Sequence, residues 1–351
     1  MSARLKSTLA VAGSLLLGGG LLWLALRGAD LATVGDALAG ADWWWLLAMI
    51  PLSVLSVVVR AWRWRLLLVA LPDGDEAGAA APARSRETAT LGAVTGATFI
   101  GYLVNYAAPR LGEFARAATV AQRSRDDFPS VFGTVVAERV LDVAVLASAI
   151  GATALLYGSR LSSVWTAAGA TLARLAERLS PGVVTAAVGA LVLLAVGAVW
   201  GMRRGGIGAR LGELAGSFQA GLVALVRTQR PVALLASTLA LWFSYVLLAD
   251  VPLRMLGLTE AYGLSVVDAF AVMTIGAIGV ALPSPGGTGS YHYATVQALT
   301  VLFGVGASAA ATYAVLAHAA QVVFYALGGF TSLLALGTTF RAVRADADAV
   351  S

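Results

Sequence analysis

Long apolar runs separated by short polar segments dominate the hydrophobic pattern of this chain. A helix needs about 20 apolar residues to cross a bilayer, and six runs reach or approach that length. These predicted spans are residues 7–26, 43–59, 130–156, 182–200, 231–250 and 307–336. The pattern predicts an all-α polytopic membrane protein, and the first run is too long for a signal-peptide core.

Two further apolar stretches, 88–124 and 266–303, are interrupted by residues that break helices. Pro109 and Gly112 interrupt the first, and the sequence LPSPGGTG at 282–289 interrupts the second. Proline lacks an N–H and glycine accepts positive φ, and each arm is short for a span. We therefore predict two re-entrant helical hairpins whose tips lie in a site. A bent but continuous helix pair is the alternative for 266–303.

The order of these elements divides the chain into two inverted repeats. Each half reads span, amphipathic interfacial helix, span, hairpin, span, with interfacial helices at 30–41 and 203–230. The predicted units are 1–157 with hairpin 88–124, an outer connecting segment 158–180, 181–336 with hairpin 266–303, and a tail 337–351. Hairpins that enter from opposite faces should meet at their tips near the midplane.

Composition agrees with a membrane protein and excludes other classes. The chain is 59% hydrophobic and 12% charged, which excludes a soluble domain. The net charge of +5 comes from arginines in short clusters between apolar runs, so nucleic-acid binding is also excluded. Most of these arginines fall on the side of the two termini. We predict a multi-pass protein of the cell (inner/cytoplasmic) membrane with both termini cytoplasmic.

The sequence contains no recognisable catalytic motif. It has no cysteine, no HExxH and no GxSxG, and Lys6 is its only lysine, so a Walker A loop is excluded. We expect no catalytic residues, no cofactor and no metal site.

Polar and charged side chains nevertheless occur inside the predicted membrane region around the first hairpin. They are Asn105, Arg110, Glu113, Arg116, Glu138, Arg139 and Asp142. Charges at this depth are costly unless they are paired or face water. Glu138 and Asp142 share a helix face and repel each other, so we expect Arg110 or Arg116 to compensate them. The group is a structural ion network, a substrate site, or both.

Two other sets of residues are candidates for lipid contacts. The second hairpin tip offers Ser284, Gly286, Gly287, Thr288, Gly289 and His292. For its histidine and His318, a protonation relay is the alternative to packed, hydrogen-bonded rings. Arg60, Arg63 and Arg65 alternate with tryptophans at the end of the second span. They predict either an interfacial lipid-phosphate site or ordinary membrane anchoring.

Four of these segments resemble one known family. RAWRW at 60–64, PRLGEFARA at 109–117, ERVLD at 138–142 and PSPGGTG at 283–289 are similar to the transmembrane region of lysylphosphatidylglycerol synthases and related stand-alone flippase-like proteins. The resemblance implies movement of lipids with large polar heads, with synthase activity in a separate soluble domain that we do not expect here. His292 stands where many relatives carry Glu, so the role of that position is not carried over.

We therefore predict a lipid flippase or scramblase-like transporter for a phosphate-bearing lipid, either a phospholipid or a polyprenyl-phosphate-linked lipid. In this interpretation the arginines and Asn105 hold the phosphate, the carboxylates hold cationic parts, and backbone amides of the second tip bind the remainder. The alternatives are a membrane-embedded transferase acting on a lipid carrier and a non-transporting scaffold. A homo-oligomer is compatible with the sequence.

Overall fold

Helices form nearly all of the protein, and no β-strand occurs in the part of the chain that the structure describes. The computed structural model describes residues 3–71, 89–107, 111–124, 126–178, 219, 221–282 and 284–337. Within these ranges four helices are long and apolar enough to cross a membrane, or five if a bent pair counts as one span. The prediction of an all-helical, multi-pass membrane protein is confirmed.

Helices account for most of the described residues. In chain order they are α1 (Ala3–Leu26), α2 (Leu31–Ala39), α3 (Leu46–Leu68), α4 (Leu91–Ala107), α5 (Gly112–Ser124), α6 (Phe128–Arg178), α7 (Pro231–Met255), α8 (Leu258–Tyr262), α9 (Val266–Ala281), α10 (Ser290–Gln297) and α11 (Ala307–Ala335). Shorter helical pieces are the 3₁₀ turns Trp43–Trp45 and Pro285–Gly287, the π-helical turn Ala298–Leu302, and residues 221–227.

Local capping chemistry explains where several helices begin. Asp30 accepts a hydrogen bond from the Ala32 N–H at 3.0 Å and starts α2, which is bent by 82° from the end of α1. Ser265 and Asp268 form a capping box at the start of α9, and Pro231 occupies the first turn of α7. Caps satisfy N–H groups that a helix leaves without partners, so the polar residues between apolar runs define these boundaries.

The predicted spans and the observed helices differ most in α3 and α6. The span predicted at 43–59 continues in α3 to Leu68. The span predicted at 130–156 matches the first part of α6, which ends at the non-helical Tyr157 (φ −121°, ψ 15°), and helix then resumes and continues to Arg178. Most of the predicted connecting segment 158–180 is therefore helical. The predicted span 182–200 and the tail beyond 337 lie outside the described residues. Six spans and two inverted repeats stay predictions.

Both broken apolar stretches form helical hairpins. In the first, α4 and α5 approach so closely at Gly101 and Gly112 that a Cβ on either would overlap the backbone of the other. In the second, α9 packs on α10 at Gly279, whose added Cβ would lie 2.6 Å from the Ser290 carbonyl oxygen. Glycine permits these backbone contacts because it has no side chain. Pro109, Arg110 and Pro283 lie outside the described residues.

The two hairpin tips touch each other, and the second tip also touches α1. The Tyr106 ring, at the end of α4, covers Gly286, which has φ +57°. Gly289, with φ +87°, lies directly against the Gly18 carbonyl group of α1. A side chain at either tip glycine would collide with its neighbour. The contact agrees with hairpins that enter from opposite faces, although the faces themselves remain a prediction.

The two largest of five apolar core clusters among the described residues hold most of the helices together. The first lies among α3, α4, α5 and α6 around Trp64. The second lies among α7, α9, α10 and α11 around Tyr313, whose hydroxyl donates to the Ala249 carbonyl oxygen at 2.8 Å. The first core supports the charged residues of the candidate site.

Candidate functional site

Charged side chains from three helices converge beside the first core. Helix α3 contributes Arg60 and Arg63, α5 contributes Arg116, and α6 contributes Glu138 and Asp142. The spacing within each pair, three residues on α3 and four on α6, places both side chains on one helix face. We call these five residues, together with Arg139 and Glu113, the arginine cluster.

Glu138 is the centre of the arginine cluster. It is fully buried, and its Oε1 lies 2.8 Å from Arg60 Nη2 and 2.9 Å from Arg63 Nη2. Its Oε2 accepts a hydrogen bond from Arg116 Nη1 at 2.9 Å. One carboxylate therefore binds three guanidinium groups. The contact with Arg116 agrees with the expectation that the first hairpin compensates Glu138.

Asp142 completes the arrangement one helical turn along α6. Its Oδ1 lies 2.8 Å from Arg63 Nη2, and its Oδ2 lies 3.2 Å from Arg60 Nη2. Arg139 Nη1 is 3.4 Å from Oδ2, a looser contact. The arginines hold the two carboxylates of α6 together, which otherwise repel each other.

Aromatic rings orient the guanidinium groups. Arg60 donates to the Tyr245 hydroxyl at 3.0 Å and lies over the Tyr102 ring, 5.9 Å from its centroid. Arg116 lies 4.7 Å from the centroid of the Trp64 ring. Cation–π contacts of this kind strengthen when they are desolvated. The rings keep the arginines fixed in the interior instead of at the membrane surface.

Positive charge exceeds negative charge in the arginine cluster. Four arginines, Arg60, Arg63, Arg116 and Arg139, face three carboxylates, Glu113, Glu138 and Asp142. Several buried guanidinium nitrogens also lack a hydrogen-bond acceptor among the described residues: Arg63 Nε and Nη1, Arg116 Nη2 and Arg139 Nε. One buried acceptor, Asp142 Oδ1, likewise lacks a hydrogen-bond donor among the same residues, so four such donors stand against one such acceptor. Buried donors without partners are costly, so the cluster is suited to an additional anion.

A small pocket lies between the arginine cluster and the first hairpin. Its volume is about 10 Å³, and Tyr102, Asn105, Arg116 and Arg139 contribute to its wall. This is room for about one water molecule. Arg139 Nε is 3.9 Å from Glu113 Oε1, and the Arg139 side chain is 40% exposed. That pair forms the most weakly held part of the wall.

Asn105 closes the first hairpin. Its side-chain oxygen accepts from the Gly112 N–H at 2.8 Å, and its amide nitrogen donates to Glu113 at 3.4 Å. The side chain therefore caps α5 and faces the pocket at the same time. Arg110, the other candidate at this tip, lies outside the described residues.

The candidates at the second tip form a separate, uncharged group. Ser284 and Ser290 share a hydrogen bond of 2.6 Å, and Thr288 contacts His318 Nε2 at 3.3 Å. The Gly289 N–H donates to Nδ1 of the neighbouring His292 at 3.3 Å. The two histidine rings lie 4.8 Å apart. These hydrogen bonds tie Gly286, Gly287 and their neighbours into the hairpin rather than to the arginine cluster.

The three arginines expected at the interface separate into two places. Arg60 and Arg63 are buried in the arginine cluster, whereas Arg65 donates to the Ala89 carbonyl oxygen at 2.6 Å. The sequence contains the reason for this separation, because positions 60 and 63 share a helix face and position 65 does not. Sequence reasoning did not single out Tyr102 and Tyr245, since tyrosine in an apolar helix has no distinctive pattern.

These features define a class: a multi-pass helical membrane protein with a buried, arginine-rich ion cluster beside a broken helical hairpin. Residues 11–329 match the family described as the lysylphosphatidylglycerol synthase TM region. The match covers nearly the whole chain, so the chain belongs to this family, as the four motifs indicated.

The chain is also similar to a protein that is named a glycosyltransferase. The chain is 28% identical over 340 residues to "Glycosyltransferase AglD" of Haloferax volcanii, in an alignment that covers 88% of this chain and 52% of the relative. The chain thus spans about half the length of this relative. No solved structure matches the chain.

Proposed function

We propose that this chain binds a lipid carrier through the phosphate of the carrier, at the arginine cluster, and presents the headgroup for glycosyl transfer. The observation that supports this proposal most directly is the excess of buried guanidinium groups over carboxylates. The family is named after lysylphosphatidylglycerol synthases, and the haloarchaeal relative is named a glycosyltransferase, which together support transfer of a group to or from a membrane lipid. They favour transfer on a lipid carrier over simple lipid movement.

The charge balance supports an anionic ligand. A buried charge that has no counter-ion costs several kcal/mol, and the cluster holds one more cation than anions. A phosphate offers several acceptor oxygens and pairs with guanidinium groups in a bidentate manner. Phosphate would satisfy the donors of Arg63 and Arg116 that have no acceptor among the described residues.

The depth of the site supports a lipid-borne anion. Glu138 lies about 15 Å along α6 from its first residue, between helices with apolar outer faces. A lipid can deliver its phosphate to that depth from the side, whereas a soluble anion would have to leave water without an anchor. Access requires the contact between Glu113 and Arg139 to open, because the pocket is small in this conformation.

Binding of farnesyl phosphate and farnesol to the purified protein tests the proposal. The two ligands share a hydrocarbon chain and differ in the phosphate, so the proposal expects farnesyl phosphate to bind at least about tenfold more tightly, the equivalent of one charge-assisted contact. Equal affinities would contradict phosphate recognition. Presentation is tested separately with a polyprenyl-phosphate-linked sugar bound to the protein, and a sugar that a soluble glycosidase cannot reach in this complex would overturn that step alone.

Movement of the same lipid across the bilayer is a second candidate function. The meeting of the two hairpin tips at Tyr106 and Gly286 favours it, because irregular backbone at membrane depth is typical of transport sites. In vesicles, passage of a labelled polyprenyl phosphate that depends on the protein would support movement. Binding without passage would leave carrier presentation as the function.

A further inference from the structure

A second feature, on a different face of α4, is an apolar groove between α4 and α11. Its volume is about 420 Å³, within the range of about 300–1,000 Å³ that is usual for small-molecule sites. Its wall includes Val58, Leu91, Thr95, Phe99, Ser332 and Leu336. None of these residues belongs to the arginine cluster, so the groove needs an explanation of its own.

The groove is closed at one end and open at the other. At the closed end, Gly328 and Gly329 pack directly on Phe99 and Leu103, because a Cβ at either glycine would overlap those side chains. At the open end, a Cβ on Gly92 would meet no atom within 4 Å. The lining residues run along about the first two turns of α4, from Leu91 to Phe99, a length that suits part of a hydrocarbon chain.

Two arginines lie near the open end of the groove. Arg123 donates to the Leu336 carbonyl oxygen at 2.9 Å, and Arg65 donates to the Ala89 carbonyl oxygen at 2.6 Å, just before α4 begins. Among the residues that the structure describes, no carboxylate forms an ion pair with either arginine. The N-terminus of α4 adds the positive end of its helix dipole.

We propose that this groove binds one acyl chain of an anionic membrane phospholipid, with the lipid phosphate between Arg65, Arg123 and the N-terminus of α4. The combination of an apolar cleft and cations at its mouth matches the two parts of such a lipid. An apolar chain gains free energy from burial, and the phosphate gains charge-assisted hydrogen bonds. The site is independent of the arginine cluster and of the carrier function proposed above.

Photo-crosslinking of the unmodified protein tests the position of the chain. Two phosphatidylglycerol probes carry a diazirine either near the glycerol or at the chain end. We expect the first to label residues near Gly92 and Leu336, and the second to label residues near Val58 and Phe99. Equal labelling of all lipid-facing helices by both probes would overturn the proposal, because it would indicate only a general lipid shell.

Matched variants test the chemistry of the site. A Cβ at position 92 would meet no atom within 4 Å, so Gly92→Leu should extend its side chain into the open end of the groove, whereas Gly151→Leu adds the same side chain to an open position of α6. Native mass spectrometry after purification in detergent should show about tenfold less retained phosphatidylglycerol for Gly92→Leu, as for loss of about 1.4 kcal/mol of binding, and no loss for Gly151→Leu. Equal retention by both variants would contradict the groove as the binding site.

The phosphate contact has its own pair of variants. Arg123→Gln should lower retention of phosphatidylglycerol about tenfold, while Arg230→Gln, which changes an exposed arginine outside the groove, should not. Retention of a neutral diacylglycerol should be the same in both variants. If Arg123→Gln retains phosphatidylglycerol as the parent protein does, the headgroup assignment is wrong.

Discussion

Glu138 binds three guanidinium groups with two oxygens, so its removal should have a larger effect than that of any other cluster residue. In Glu138→Gln, Arg116 loses its carboxylate partner, and Arg60 and Arg63 keep only Asp142. Breaking a buried ion pair from one side costs about 3–5 kcal/mol. We expect a free energy of unfolding lower by this amount, measured by denaturant titration of the purified protein.

The ion pair between Asp250 and Arg254 provides a control for this prediction. It has a shorter contact of 2.6 Å, but the Arg254 side chain is 34% exposed. Asp250→Asn should therefore destabilise less than Glu138→Gln, because its arginine can reach solvent. Equal losses of stability would show that the arginine cluster is not the special feature that the contacts indicate.

A substitution of Arg139 should change the affinity for phosphate without a large change in the stability of the fold. Its contacts to Glu113 and Asp142 are long, at 3.9 Å and 3.4 Å, and its side chain is 40% exposed. In Arg139→Gln the stability should change by less than about 1 kcal/mol, while affinity for farnesyl phosphate should fall roughly tenfold. Arg254→Gln is the matched control and should bind as the parent does. Unchanged binding by Arg139→Gln would exclude this arginine from the phosphate site.

At the scale of single residues, the sequence predicted part of the candidate site. Two carboxylates on one helix face require a cation, and this physical requirement correctly indicated Arg116 for Glu138. The prediction that the first hairpin also compensates Asp142 was wrong for the described residues, because Arg60 and Arg63 of α3 make the short contacts with it. The burial of Arg60 and Arg63 was not predicted, because alternation with tryptophan is also typical of a membrane interface. Tyr102 and Tyr245 contact Arg60 because of the way their helices pack on α3, and such long-range packing has no local sequence pattern.

At the scale of elements, Gly18 and Gly19 of α1 are neighbours with different surroundings. A Cβ on Gly18 would lie 2.9 Å from the Thr288 carbonyl oxygen, whereas a Cβ on Gly19 would meet no atom within 4 Å. Alanine favours a helix interior over glycine by about 1 kcal/mol. Gly19→Ala should raise the free energy of unfolding by up to this amount, and Gly18→Ala should lower it. Stabilisation by both would mean that α1 does not contact the second tip.

Breaks in apolar runs proved to be good predictors of the hairpins. The prolines and glycines at 109–112 and 283–289 fall between the two arms of each hairpin, α4 and α5 in the first and α9 and α10 in the second, because proline and glycine interrupt a helix. The helical segment beyond Tyr157 was not predicted. A Gly158–Ser159 pair follows Tyr157, and such pairs kink a helix without ending it, so helix resumes after the break at Tyr157.

At the scale of the whole molecule, the contact between α4 and α11 joins the two predicted repeats. A Cβ added at Gly96 would lie 3.6 Å from the Ser332 Cβ, within the range of about 3.5–4.5 Å that disulfides allow. The chain has no cysteine of its own. Gly96→Cys with Ser332→Cys should form a disulfide under mild oxidation, seen as a gel shift that reductant reverses.

Gly92→Cys with Ser332→Cys is the control for this cross-link. No atom lies within 4 Å of a Cβ at position 92, so this second pair should stay reduced. If both pairs cross-link equally, the helices do not hold the register described here. The orientation of the molecule, with both termini cytoplasmic, remains a prediction from the distribution of arginines.

A structure of the protein in a lipid nanodisc with decaprenyl phosphate tests the central claim most directly. The claim is that the arginine cluster binds the phosphate of a lipid carrier. The account predicts density for a phosphate within about 3 Å of Arg63 and Arg116 guanidinium nitrogens, with the contact between Glu113 and Arg139 opened. Bound decaprenyl phosphate whose phosphate lies away from an unchanged, closed cluster would contradict the account.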